Sequence, residues 1–226
     1  MQLTFDSDVE QFRAEFSAFL DEHLPPGSET AERTQSCSHI PEWARRWQAL
    51  QFDHGWLLPG NPPEFGGRNA SVLQQYVHRE ELSRRRIYHS FNPQGVGIVA
   101  ASILSFGTDE QKQRWAVPIL RGEMTASVGM SEPGAGSDLA SLRTKAVMDG
   151  DHFVINGQKV WTSGAHDADV ILTFVRTDPD RARDLILDFA DFTRYSFRAA
   201  GQYTLLADEP AAAELVRRAA PPNHAG

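Results

Sequence analysis

The feature that most constrains this chain is a change of hydrophobic period near Gly122. Upstream, apolar residues recur at helical spacing in one segment after another; downstream they fall in short β-type runs. Residues 5–24 predict an amphipathic helix with Val9, Phe12, Phe16, Phe19 and Leu20 on one face. Ser7-Asp-Val-Glu10 reads as its capping box, and Pro25-Pro26-Gly27 stops it. After a polar loop over 28–39, Pro41 suits the first turn of a second helix with Trp43, Trp47 and Leu50 as core anchors, ended by Gly55. Turn formers fill 56–70. A third helix follows from Ser71, with Val72, Leu73, Tyr76 and Val77 predicted inward, and Glu80-Glu81 and Arg84-Arg85-Arg86 sorted along a solvated face. Residues 94–106 predict a more apolar helix (Val96, Ile98, Val99, Ile103, Leu104). Thr108-Asp-Glu-Gln111 is a second capping box, opening a helix with Trp115 and Ile119 on one side and closed by Pro118 and Gly122.

Past Gly122, Val147, Phe153, Val154, Ile155, Val160, Val170, Ile171, Phe174 and Val175 lie in strand-like runs. Asn156-Gly157 between two of them signals a two-residue hairpin. Helices followed by strands, unmixed, give an α+β fold class: an N-terminal all-α helical bundle domain, then a small, incomplete antiparallel β domain starting near Thr125. The expected boundaries are 1–122, 123–198 and an irregular tail over 199–226. One more strand is expected at Asp184–Phe189 and a short helix around Glu214.

The chain has 226 residues and a formal charge of −8, which argues against general nucleic-acid binding because phosphate neutralisation needs a basic face. Its single cysteine, Cys37, forms no internal disulfide and fits a reducing cytosol. No apolar run approaches membrane-spanning length, so a cytoplasmic location is expected. The eight histidines show no metal-ligand spacing, and no metal site is assigned; His152 and His166 are expected on the surface at strand ends.

The chemistry concentrates in Gly129-Met-Ser-Glu-Pro-Gly-Ala-Gly-Ser-Asp138 and in Trp161-Thr162-Ser163. Gly134-Ala-Gly136-Ser137 lets backbone N–H groups approach an anion or a planar ring closely, since glycine has no Cβ. The indole offers a flat apolar face and Ser163 a hydroxyl. A dinucleotide fingerprint is excluded by the missing third glycine and the absent βαβ unit. A hydrolase elbow is excluded by proline at its last position and by the lack of α/β alternation. A large flat cofactor with a phosphate tail remains.

Met130-Ser-Glu-Pro-Gly-Ala-Gly-Ser-Asp138 followed by Asn156-Gly-Gln-Lys-Val-Trp161-Thr-Ser163 closely resembles the flavin-binding signature of the acyl-CoA dehydrogenase family. Phe106-Gly-Thr-Asp-Glu-Gln-Lys112 and Pro118-Ile-Leu-Arg-Gly122 are also similar to that family, so the resemblance spans roughly residues 5–178. It implies an N-terminal helical domain, a middle β domain and a C-terminal helical bundle, with FAD between the last two and an acyl-CoA thioester as substrate. By resemblance, the Met130 backbone and the Ser131 hydroxyl address the flavin's pyrimidine edge. Gly136 and Ser137 contact its phosphate side, with Ser137 also near the acyl-CoA. Trp161 packs on the ring, and Thr162-Ser163 stands where Ile-Thr is frequent, with Ser163 placed near the reactive nitrogen. The family reaction removes hydrogens from Cα and Cβ of the thioester, so it is an oxidoreductase activity.

The family's base is a glutamate in the C-terminal bundle, and no catalytic residue is assigned here; Glu132, before a proline, and Asp138, a turn cap, are both passed over. Two expectations follow. One is a truncated member that turns over no acyl-CoA. The other is a non-catalytic subunit or binding scaffold completed by a partner chain, in a family that assembles as homo- or hetero-oligomers.

Overall fold

The computed structural model describes residues 5–27, 36–87 and 91–177. The strand expected at 184–189, the tail and the helix near Glu214 lie outside the described residues. The chain divides into two compact units, one of residues 1–128 with 163–172, the other beginning with 129–162 and resuming at 173.

In the first unit, α1 (Ser7–His23), α2 (Glu42–Asp53) and α3 (Val72–Arg84) are built as their apolar spacing dictates. Phe12, Phe16, Phe19 and Leu20 of α1 meet Trp47 of α2, Val77 and Leu82 of α3, and Trp56 from the connecting loop. Phe16, fully buried, lies 4.8 Å from the Trp56 ring and 4.2 Å from the His78 ring. Burying one such ring stabilises the fold by about 2–3 kcal/mol. Trp47 is the core anchor expected; Trp43 is half-buried and packs edge-on against Phe91.

Three readings of these helices are corrected. Ser7 lies inside α1 rather than capping it: the N-cap is Asp6, with no side-chain cap bond, and Glu10 pairs with Arg13 at 3.3 Å instead. On α3, only Val77 of the four predicted residues is buried; Val72, Leu73 and Tyr76 are exposed, because the inward face is Val77, His78, Glu81 and Leu82. That face includes a carboxylate, which an apolar-periodicity reading places outside. Glu81 is not solvated: it accepts from Arg13 at 2.9 Å, Arg85 at 2.7 Å and Arg84 at 3.2 Å, so charge pairing offsets its desolvation. The same cluster holds Glu80 below the ordinary carboxylate range, chiefly through its hydrogen bond from Arg13.

α3 opens on a capping box of Ser71 with Gln74, beyond the expected one of Thr108 with Gln111, which also forms. The 94–106 helix opens as a π-helical turn (Gly95–Ala100) before α4 (Ala101–Phe106). After α5 (Asp109–Gln111), a second π turn (Lys112–Ala116) precedes α6 (Val117–Leu120). Pro118 therefore sits inside a continuous helical run rather than ending it. The widened turn ahead of it accommodates a ring that lacks an N–H and crowds the i−4 carbonyl of a regular helix.

β1 (Ala126–Gly129) pairs with β4 (Val170–Thr173). Hydrogen bonds from Val170 N to Thr125 O and from Phe174 N to Gly129 O advance together along both chains, the pattern of a parallel pair. Asn92, fully buried, lines β1: its amide donates to Cys37 O (2.8 Å) and Ala126 O (2.9 Å), and its oxygen accepts from Ala126 N (2.9 Å).

In the second unit, β2 (Lys145–Asp149) and β3 (His152–Asn156) form an antiparallel hairpin, with Asp149 opposite His152. The turn is therefore Gly150-Asp151, not Asn156-Gly157. Gly150 has φ 64°, the positive value a II′-type turn requires at its first central position. Gly157 serves a different need: a Cβ there would lie 2.3–2.6 Å from Thr144 atoms. Val147, Met148, Phe153, Val154 and Ile155 of the hairpin are all exposed.

Candidate functional site

Most of the predicted site residues lie in the second unit, on two segments that the fold ties to each other. Val160 N–H donates to Ser131 O at 2.9 Å, and Lys159 Nζ donates to Met130 O at 3.0 Å. Residues 130–131 and 159–160 are thus neighbours although nearly thirty residues separate them.

The glycine-bearing loop closes on itself, with Glu132 N donating to Ala135 O (2.8 Å) and Ala135 N to Glu132 O (3.1 Å). Gly134 lies within that closure and Gly136 directly after it, both exposed. An added Cβ at either would meet nothing within 4 Å, and neither has a positive φ. Packing among the described residues therefore gives no reason for glycine at these positions. Close approach by something outside the chain does. Gly136 and Ser137 are exposed, and Met130 and Ser131 half-buried.

Trp161 is the most unusual residue of the site. The residue is 88% exposed, and its backbone has φ 59°, a left-handed conformation rare for a bulky residue. Burying the ring would gain several kcal/mol of hydrophobic stabilisation, and the left-handed backbone costs about 1–3 kcal/mol. Neither term favours this arrangement in the isolated chain; both fit a ring held out to meet a flat ligand. Thr162 is half-buried, with a buried Oγ1 that has no hydrogen-bond partner among the described residues. Ser163 falls in the returning segment of the first unit, where its carbonyl accepts from Ser127 Oγ at 2.7 Å and its own side chain is exposed.

Glu132 is not available as a base. Its carboxylate accepts from Arg143 N (2.6 Å), Thr144 N (2.9 Å) and Lys159 Nζ (2.9 Å). Burial pushes its pKa up, but the hydrogen bonds from Thr144, Lys159 and the Arg143 amide outweigh that and hold it at about 2. Asp138 is exposed, and it caps the following turn through its carbonyl, which accepts from Ser141, rather than through its side chain. The role of Lys159 escaped the sequence reading. A lone lysine between two motifs gives no signal until Glu132 is seen to be buried beside it. His152 and His166 are exposed as expected, and no group of metal-ligating side chains occurs among the described residues.

Residues 6–123 match the model of the acyl-CoA dehydrogenase N-terminal domain, and residues 127–190 that of the acyl-CoA dehydrogenase middle domain. The chain belongs to the acyl-CoA dehydrogenase family. Its α+β class, helical domain first and small β domain second, is that of its structural neighbours. It is 37% identical over 181 residues to the acyl-CoA dehydrogenase FadE26 of Mycobacterium tuberculosis, covering 80% of this chain and 45% of that protein. Among solved structures, the Tcur3481-Tcur3483 steroid ACAD is 38% identical with a TM-score of 0.60, over 80% of this chain and 46% of that one. The ChsE4-ChsE5 complex from Mycobacterium tuberculosis is 36% identical with a TM-score of 0.59, over 80% and 45%. The chain thus spans about half the length of the relatives it matches. The family is one of FAD-dependent flavoprotein oxidoreductases of lipid metabolism. Among the described residues, no helix is long and apolar enough to cross a membrane.

Proposed function

We propose that this chain carries one side of the FAD site of an acyl-CoA dehydrogenase, an oxidoreductase that introduces an α,β double bond into an acyl-CoA thioester. The observation that carries the reading is Trp161: a bulky residue, 88% exposed, on a left-handed backbone beside a loop whose Gly134 and Gly136 no contact among the described residues requires. These residues fit a flat, phosphate-bearing group. Trp161 supplies an apolar face to the ring. The Met130 main chain and the Ser131 hydroxyl meet its polar edge, and the hydroxyls of Thr162 and Ser163 lie beside it in sequence. The open backbone at Gly136, with Ser137, suits the phosphate side, and Ser137 also borders the thioester substrate. Bound FAD would supply the acceptor for the hydride leaving Cβ.

The α-proton needs a separate base. With Glu132 fully engaged, no carboxylate on these two motifs is assigned that role, and the reading places the base outside the described residues. The chain's own contribution is to bind and orient. Full turnover then requires groups supplied from elsewhere. The ChsE4-ChsE5 complex among the similar structures supports a second, compatible reading, in which a partner subunit completes the site.

Titration of the purified full chain with FAD, followed by quenching of flavin fluorescence, tests the binding role. Saturable binding that Trp161→Ala weakens at least tenfold supports it; no binding, alone and when co-expressed with a candidate partner from the adjacent reading frame, refutes it. A yellow co-purified complex that reduces its flavin with acyl-CoA is the expected result for the partner reading, and a colourless complex refutes that reading.

A further inference from the structure

Lys159 and Glu132 are charged, and both are nearly removed from solvent, with side chains 12% and 7% exposed. Burying such a pair needs several favourable partners for each ion, and their partners are specific. One ammonium, Lys159 Nζ, bridges Glu132 Oε1 at 2.9 Å and the main-chain oxygen of Met130 at 3.0 Å. The carboxylate it holds is anchored in turn by the amides of Arg143 and Thr144 at 2.6 and 2.9 Å. The residue after Lys159, Val160, gives its N–H to Ser131 O at 2.9 Å, and the residue after that is Trp161 with φ 59°. The ion pair therefore joins three segments: 130–132, 143–144 and 159–161. It lies immediately behind the main chain of Met130 and Ser131 and two residues from the exposed indole.

We propose that Lys159 and Glu132 act as one positioning pair, which sets the Met130–Ser131 main chain and the left-handed Trp161 in register for the isoalloxazine ring. Neither residue touches the cofactor; both act through the backbone they hold. A lysine suits the role because its compact head with three donors can serve a carbonyl and a carboxylate at once. The proposal rests on the FAD reading above, and its test separates the two.

In the full chain, Lys159→Met keeps the aliphatic stem and removes the bridging donor; Glu132→Gln keeps the shape and removes the charge. Amide exchange at Val160, with the Ala146 amide (bonded to Arg176 O at 3.0 Å) as reference within the same unit, is measured without flavin. FAD affinity is measured separately. The expected result is at least tenfold faster exchange at Val160 with Ala146 changed less than twofold, and a roughly tenfold rise in the FAD dissociation constant, the size of one lost charge-assisted hydrogen bond. The double variant should be no worse than the poorer single one, because the two residues act as a unit. Unchanged exchange at Val160 overturns the proposal, as does parallel loss of protection at Val160 and Ala146, which would mark a general structural role. An unchanged dissociation constant in a chain that binds FAD overturns it too. A wild-type chain that binds no FAD refutes the flavin reading, and selective loosening of Val160 in Lys159→Met then still supports the pair's hold on the two motif segments.

Discussion

Asn92 is the point at which the side-chain anchoring of β1 can be tested most directly. Its side chain imitates a neighbouring strand, exchanging both a donor and an acceptor bond with Ala126 and reaching Cys37 O as well. Asn92→Ala deletes these three bonds and leaves two carbonyl oxygens and one N–H without that partner, at a site where Asn92 is 1% and Ala126 0% exposed. An orphaned buried group costs about 1–3 kcal/mol; taking the lower figure for each, because water can enter the vacated space, gives about 3 kcal/mol in all. With a urea slope of about 2 kcal/mol per molar, the unfolding midpoint of the full chain should fall by about 1.5 M. Asn92→Asp should be at least as damaging at neutral pH, since it turns a carboxylate toward two carbonyl oxygens. Equilibrium urea titration followed by tryptophan fluorescence reads the result. A midpoint shift below about 0.5 M for Asn92→Ala would refute the claim that these three bonds contribute about 3 kcal/mol to stability.

Gly157→Ala should lower stability by about 1–3 kcal/mol, because its Cβ would overlap Thr144. By contrast, Gly136→Ala should leave stability nearly unchanged, within about 0.5 kcal/mol, while weakening FAD binding. Equal losses of stability in the two variants would contradict this. Trp161→Gly should change stability by less than about 1 kcal/mol, as relief of the positive φ offsets the added freedom of the unfolded chain, yet lower FAD affinity at least tenfold by fluorescence titration. Glu132 has a folded pKa of about 2 against an ordinary 4.5, so its stabilisation is present above about 4.5 and is lost as pH falls toward 2. Circular dichroism over that window should show acid destabilisation that Glu132→Gln flattens; an unchanged profile in the variant would count against the pairing.

The sequence by itself determined the order of elements, the α+β class and the family. Those rest on local periods and short motifs that the chain carries whatever its surroundings: the phenylalanine stripe of α1, the Thr108–Gln111 capping box, the Ser131 and Trp161 motifs. Tertiary structure decided which way α3 faces, because Glu81 is buried where Arg13 of α1 joins Arg84 and Arg85 of its own helix end in pairing with it. It decided the turn as well. Asn156-Gly157 has the stronger hairpin composition, but only Gly150-Asp151 lets Lys145 face Asn156 across the ladder, and Gly157 is taken up by its contact with Thr144. Within the site, the sequence supplied the residues that face outward, while the fold supplied the pair behind them. Lys159 and Glu132 are ordinary surface residue types until burial leaves each with the other, and with the main chain, as its means of satisfying its charge.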